Sequence, residues 1–342
     1  MGRPKVENNI HRIAQLAGVS ISTVSRVINH SETVKKETAD QVREAMKSVH
    51  YTGPIRPPRP AKSACRNIVF VTGYLFEEIS MFPKLLDGVT SILKQEQYRL
   101  LVYIQRDATP QVEDIISFAV DNDAEGIIIS TRMREEDLER MQRVFPCVQC
   151  YEYNTHYHCG YVSSDFKKAI EKMMNYLFSI NRKKVAFISL MDEEGYTASL
   201  RRDAFLQCMH AQECEVPEKW LISLAPPVSF DNAVAAGSYL LSDKERPDAI
   251  VCTSDVFASA IIRSAQQKGL GVPEDLVVVG FDNNVISKIS SPTITTIKHS
   301  VYEIGYATGM MMLEMIRNPK QKHQRGVLLD TELILRASSE AV

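Results

Sequence analysis

Apolar residues recur at helical spacing twice within the first fifty positions: Ile10, Ile13, Ala14 and Ala17, then Val42, Ala45, Met46 and Val49. Steps of i, i+3, i+4 and i+7 place each set on one face of an amphipathic helix. A shorter helix is predicted between them, with Val24, Val27 and Ile28 facing inward. It is preceded by Gly18-Val19-Ser20, where Gly18 permits a tight turn and Ser20 can cap the helix that follows. Two helices joined by a glycine turn and braced by a third predict an all-α helix-turn-helix module over residues 1–51.

Residues 52–66 contain four prolines and no run of helix formers, so they read as an extended linker. Beyond it the pattern becomes short β-branched runs alternating with helical stretches, the signature of parallel strands joined by helical crossovers. The predicted central strands are Ile68–Thr72, Leu100–Ile104, Gly126–Ser130, Cys147–Tyr151, Val185–Ser189, Ala249–Thr253 and Val277–Phe281, with a final strand over Glu332–Leu335. The near-continuous apolar character of the central strands predicts sheets covered on both faces. Residues 67–342 exceed one comfortable doubly wound sheet. Two α/β lobes with a cleft between them are therefore expected.

Composition sharpens this division. The whole chain of 342 residues has a formal charge of −2, but residues 1–66 carry 12 Lys or Arg against 5 Asp or Glu, leaving 28 basic against 37 acidic residues beyond. A small basic module attached to a large acidic one predicts an anionic polymer or surface as the partner of the small end. No apolar run reaches the roughly 18 residues a membrane helix needs, and the N-terminus has no signal-peptide core, so a cytoplasmic protein is expected.

Seven cysteines form an odd set unsuited to a disulfide framework. Cys147, Cys150, Cys159, His156 and His158 make the only metal or redox cluster that can be assembled. Cys147 and Cys150 fall on a predicted strand, however, which points to small buried side chains and to no metal site. No G-x-S-x-G, H-E-x-x-H, Walker A or G-x-G-x-x-G segment occurs, so no catalytic residues and no cofactor are assigned and an enzyme is not expected.

The outward face of the second helix carries the chemistry of a major-groove reader. Arg26 can donate two hydrogen bonds to guanine, Ser22 can read a base edge, and Ile21 can pack on a thymine methyl. Ser20, Thr23, Ser25, Asn29, Lys35 and Lys36 are suited to phosphates, which fix register without reading sequence.

The segment Ile13–Asn29, IAQLAGVSISTVSRVIN, resembles the N-terminal signature of the LacI/GalR family of transcription regulators. The resemblance continues through Thr38–Tyr51 and across most of the chain, including Asp248–Asp255 and Val272–Asp282. It implies a homodimeric DNA-binding regulator, a repressor, on a pseudo-palindromic operator. It further implies a two-lobed, periplasmic-binding-protein-like core over residues 67–342, whose cleft takes a small effector, a sugar or derivative. Carried over residue by residue, the effector contacts fall on Arg201, Phe230, Ser254, Asp255 and Asp282, with Tyr74, Phe82, Asp165 and Thr197 as further cleft candidates. Asp and Arg at the carboxyl ends of parallel strands suit hydroxyls or a carboxylate. Phe230 either stacks on a ligand or serves as a core aromatic, and Asp255 and Asp282 either bind or cap a turn or helix.

Three features depart from the family pattern. Residues 52–66 lack the leucine of the usual hinge helix, and an interior proline costs a helix about 3 kcal/mol, so an extended tether with Arg56 and Arg59 in the minor groove is expected instead. Lys35 stands where the third helix usually has a serine cap. Ser199 stands where a second arginine is frequent, which suggests a less acidic or differently oriented effector. The helix over Val301–Ile316, with Ile304, Thr308, Met311, Met312 and Met315 in a stripe, is either a dimer surface or core packing. The competing classes are a solute-binding protein and a cytosolic sugar-binding or sugar-processing protein without DNA-dependent function.

Overall fold

The computed structural model describes residues 7–20, 23–24, 27, 34–49, 66–73, 82–105, 112–191, 196–225, 229–242, 244–318 and 325–340. Its contacts divide the chain into two units, Met1–Ala64 and Cys65–Val342.

In the first unit, α1 spans Glu7–Ala17 and α2 spans Lys36–Ser48. Their small core holds Ile13, Ala14, Ala39, Val42, Ala45 and Met46 together with Val24 and Val27, as the spacing predicts. Between the helices the chain turns at Gly18, whose φ of +64° only glycine adopts without penalty. Ser20 then caps the following helical residues, its hydroxyl accepting from the Thr23 amide at 3.2 Å.

The second unit contains two six-stranded sheets. The first lobe uses β1 (Arg66–Thr72), β2 (Tyr98–Ile104), β3 (Ala124–Ser130), β4 (Cys147–Cys150) and β5 (Gly160–Ser164), interleaved with α3 (Phe82–Gln95), α4 (Val112–Asp121) and α5 (Glu135–Gln142). The second lobe begins with α6 (Phe166–Ser179) and β6 (Val185–Leu190). It continues through α7 (Thr197–Ala211), β7 (Leu221–Leu224), α8 (Phe230–Leu240), β8 (Ala249–Cys252), α9 (Asp255–Gln267), β9 (Val277–Phe281), α10 (Val285–Ile289) and β10 (Thr295–Lys298). The chain then returns to the first lobe as α11 (Val301–Arg317) and β11 (Gly326–Leu329), and crosses once more to end with β12 (Glu332–Ile334).

Sheet order is β11-β5-β4-β3-β1-β2 in one lobe and β12-β10-β9-β8-β6-β7 in the other. Every pairing is parallel except β10 with β12. Parallel neighbours require helical crossovers, and these cover the central strands, so that β3 and β9 bury Ile127, Ile128, Val277 and Val279 almost completely. Each such side chain contributes about 1.5–3 kcal/mol of burial free energy.

Two expectations need correction. β2 is an edge strand with Val102 and Ile104 exposed, so it is not covered on both faces; among the described residues its only neighbouring strand is β1. Four strands escape the sequence pattern, namely β5, β7, β10 and β11, each of at most five residues. Of the two readings of the α11 stripe, core packing describes Ile304, Thr308, Met311 and Met312, which are buried against α3 and the first sheet, with Met315 partly buried beside them. Gly88 of α3 and Gly305 of α11 let the two backbones touch: a Cβ on Gly88 would collide with the Tyr302 carbonyl, and one on Gly305 with the Leu85 carbonyl.

Cys147, Cys150, Cys159 and Cys252 behave as small core residues, whereas Cys208 and Cys214 are half-buried. Cys147 and Cys150, three residues apart on β4, point to opposite faces of the sheet, with Cys147 beside Cys159 in one core cluster and Cys150 in another. Burial pushes the Cys150 thiol up to about 12, while His156 and His158 are exposed. No metal-holding cluster occurs among the described residues. None of the described helices is long and apolar enough to cross a membrane.

Candidate functional site

Of the residues expected to touch DNA, Ile21, Ser22, Ser25, Arg26, Asn29, Arg56 and Arg59 lie outside the described residues. Ser20 and Thr23 lie within the glycine turn and its cap, their hydroxyls 2.9 Å apart. Lys35 is the N-cap residue of α2 and makes no side-chain cap, and both it and Lys36 are exposed. Two cations at a helix N-terminus oppose the helix dipole. Their placement is favourable when an anion sits over that end.

The interlobe site is built where the chain passes between the sheets, at Ser164–Phe166, Lys298–Val301 and Leu329–Glu332. Each effector candidate in the second unit follows the carboxyl end of a parallel strand: Phe82 after β1, Asp165 after β5, Thr197 and Arg201 after β6, Phe230 after β7, Ser254 and Asp255 after β8, and Asp282 after β9. In an α/β sheet this edge exposes amides and helix N-termini toward a ligand.

Arg201 is the centre of the site. Its side chain is buried, with Nε donating to the Thr197 carbonyl at 3.1 Å and Nη1 to the Thr253 carbonyl at 3.3 Å. The guanidinium lies 5.1 Å from the Phe166 ring and 5.2 Å from the Phe281 ring, so cation–π attraction offsets part of its desolvation.

Asp282 stands at a φ of +101° and Asn283 at +51°, conformations that redirect the chain sharply after β9. The loop is held by three bonds. The Asp282 amide donates to the Ile297 carbonyl, the Asn283 amide to Thr296 Oγ1, and Arg336 Nη2 to Asn283 Oδ1. Burial, and then the neighbouring Asp282 charge, pushes the Tyr151 phenol well above its ordinary value. Tyr151 itself adopts a φ of +66°, rare for a bulky residue, and the strain falls where the two lobes meet.

Thr197 is buried and donates its hydroxyl to both oxygens of Glu152 at 2.9 Å, bringing α7 of the second lobe against the segment after β4 of the first. His299, on the second crossing, is enclosed by Tyr151, Phe166 and Phe281, with ring centroids 4.9–5.8 Å away. Its Nδ1 meets Ser164 Oγ at 2.7 Å, and its Nε2 lies 3.5 Å from Asp282 Oδ1, beyond an ordinary hydrogen bond.

The remaining candidates also carry structural contacts. Asp255 is fully buried: Oδ1 accepts from Thr296 Oγ1 at 2.6 Å and Oδ2 from the Asn284 amide at 2.8 Å. Burial and then the neighbouring Asp282 charge raise it to about 8. It is a positioning residue beneath the Asp282 loop and not an exposed contact. Ser254 caps α9 by accepting from the Val256 amide, and Asp165 caps α6 by accepting from Lys168. Phe82 packs edge-on against Phe70 at 5.6 Å. Phe230 packs against the core of the second lobe and lies 6.0 Å from the Arg263 guanidinium, in an open cavity with Ser259, Ile262 and Gln266. Half-buried, it both packs on that core and lines the cavity, so its two readings stay open. Tyr74 lies outside the described residues.

Sequence reasoning missed Tyr151, Glu152, Ser164, Thr296, His299 and Arg336. Tyr151 and Glu152 follow a predicted strand and could have been found by the strand-end rule. His299 follows β10, whose Thr-Thr-Ile-Lys gives no apolar run.

A family model for bacterial regulatory proteins, lacI family, matches residues 9–53, and one for a periplasmic binding protein-like domain matches residues 174–339. The NTD biosynthesis operon regulator NtdR of Bacillus subtilis (strain 168) is 28% identical over 335 residues, covering 96% of this chain and 99% of the relative. The HTH-type transcriptional repressor PurR of Vibrio vulnificus (strain CMCP6) is 27% identical over 336 residues, covering 96% and 97%. Among solved structures, the transcriptional regulator CelR–cellobiose complex superposes with a TM-score of 0.71 at 22% identity, over 98% of this chain and 100% of that one.

Proposed function

The chain belongs to the lacI family of bacterial regulatory proteins, DNA-binding regulators with an effector-binding domain and not enzymes, and on that premise we propose that it is a cytoplasmic, homodimeric repressor released from its operator by a small polyhydroxyl effector. The observation that carries the effector reading is the convergence of Arg201, Thr197, Glu152 and Asp282 where the lobes meet, with Phe166 and Phe281 beside them. Fixed acceptors and one guanidinium suit neutral hydroxyls, and aromatic faces suit the apolar side of a sugar ring. The relatives do not share one effector name, so the sugar class rests on this chemistry.

Effector and operator then act reciprocally. A ligand that prefers one lobe arrangement shifts that equilibrium by its differential affinity, and the shift changes how two recognition helices fit adjacent major grooves. Lys35, Lys36, Arg56 and Arg59 supply phosphate and minor-groove contacts, and Arg26 with Ser22 and Ile21 the base reading.

The test is a thermal-shift screen of the full chain against neutral sugars, sugar phosphates, purines and short peptides. It is followed by fluorescence anisotropy on palindromic duplexes with each hit. A neutral sugar should raise the melting temperature and weaken operator binding, and Asp282→Asn should abolish both effects. A purine or peptide as the sole hit would overturn the sugar assignment. A hit that leaves operator affinity unchanged would overturn the coupling.

A further inference from the structure

One side chain joins the lobes away from the Arg201–Asp282 centre. Tyr196, at the start of α7 in the second lobe, is buried and reaches the turn after β3 in the first. Its hydroxyl donates to the Met133 carbonyl at 2.6 Å and accepts from the Met133 amide at 2.8 Å. A single hydroxyl thus satisfies both backbone groups of one residue, as a neighbouring strand would. The Tyr157 ring, also from the first lobe, stands edge-on to Tyr196 at 6.1 Å. Arg132, one residue before Met133, donates to the Met191 carbonyl of the second lobe at 3.3 Å.

We propose that Tyr196 is an interlobe latch, a positioning residue that sets the balance between the closed and open arrangements of the cleft. The argument is one of satisfied against stranded groups. With the lobes together, the Met133 amide and carbonyl and the Tyr196 hydroxyl are buried and paired; separation returns all three to water. Removing only the hydroxyl leaves both Met133 groups buried without partners in the closed arrangement and changes nothing in the open one. The penalty therefore falls on one side of the equilibrium, and such stranded groups are worth a tenfold shift or more. The latch lies next to Thr197, so closing it also brings Thr197 Oγ1 to Glu152. Tyr196 contributes no charge to the cleft and acts on whatever ligand the cleft takes by fixing how much of the protein is already closed.

The inference uses the two-lobed geometry and not the effector class or the operator, and its test is independent of both. Keto-bearing residues introduced at Glu139 and Arg202, both exposed and each about one turn into the helix behind its half of the latch, allow two dyes to be attached without touching the native cysteines. Single-molecule energy transfer on the full chain then reports lobe separation. Tyr196→Phe should raise the ratio of open to closed molecules at least tenfold, and Tyr157→Leu, which removes the edge-on ring, should raise it less and in the same direction, with circular-dichroism melting still cooperative. An unchanged distribution in Tyr196→Phe would overturn the latch. If that variant does not fold, Tyr157→Leu decides: a shift toward open molecules supports the latch, and an unchanged distribution overturns it.

Discussion

Ser164 Oγ and His299 Nδ1 meet at 2.7 Å although 135 positions separate them, tying the first crossing between the lobes to the second. Neither side chain has solvent as an alternative partner, since both residues are buried. The bond holds the crossings together at the point where Tyr151, Phe166 and Phe281 surround the imidazole.

His299→Ala should lower unfolding free energy by about 2–4 kcal/mol, because it opens a cavity among three rings and strands the Ser164 hydroxyl. Ser164→Ala should cost about 1–2 kcal/mol. The double variant should fall short of the sum by about 1 kcal/mol, since one shared bond is counted twice. Urea unfolding of the four proteins measures the coupling, and strict additivity would show that the contact contributes nothing.

Asp255 gives a pH dependence of known sign. Burial and the Asp282 charge raise it to about 8, whereas an unfolded aspartate titrates near 3.9. The folded chain holds this proton more tightly than the unfolded one. Its stabilisation is therefore full below about pH 4 and is lost as pH rises toward 8, each unit of the gap being worth about 1.4 kcal/mol. Asn at this position does not titrate. The difference in urea midpoint between wild type and Asp255→Asn should thus move steadily against the wild type from pH 5 to 8. Parallel curves over that range would refute the assignment.

The α3–α11 contact leaves no room for a methyl group, because Gly88 and Gly305 each face a backbone carbonyl of the other helix. Gly88→Ala or Gly305→Ala should destabilise the first lobe by more than about 3 kcal/mol despite the helix propensity gained. A thermal melt that stays within a degree of wild type would contradict the close approach.

In the basic unit, Lys35 and Lys36 should behave as phosphate contacts. Replacing both with Ala should reduce the slope of log affinity against log salt by about 1–2 and weaken all duplexes alike. Arg26→Ala should instead flatten the preference among duplexes. Anisotropy titrations at several salt concentrations separate the two outcomes, and a Lys pair that altered sequence preference would reverse the roles.

Much of this architecture is legible in the chain. Ile13, Val24, Val42 and Met46 fix the small unit through spacing alone, and Val277–Phe281 and Gly126–Ser130 identify central strands because burial on both faces demands unbroken apolar runs. β10 and β5 escape because Thr-Thr-Ile-Lys and Gly-Tyr-Val-Ser-Ser are polar enough to pass for loops. Their side chains are satisfied by tertiary partners: Thr296 by Asp255, Ser163 by the Tyr151 carbonyl. The site divides in the same way. Arg201 and Asp282 are legible from the motifs that carry them, but the inward turn of Asp255 depends on Thr296 and Asn284, residues far away in sequence.

β11 and β12 belong to opposite lobes but are separated only by Asp330 and Thr331, and the first lobe buries Ile304 and Met312 of α11 in its core. Neither lobe is therefore a contiguous stretch of chain. On the ribosome, a nascent polypeptide that has emerged as far as β5 has five strands of the first lobe with α3, α4 and α5 but lacks α11, which shares one face of the sheet with α3, so the first lobe is completed only after residues 301–329 are translated. Until then the half-covered face beside α3 is the surface most exposed to chaperone capture, and a frameshift ahead of α11 would take an element from each lobe at once.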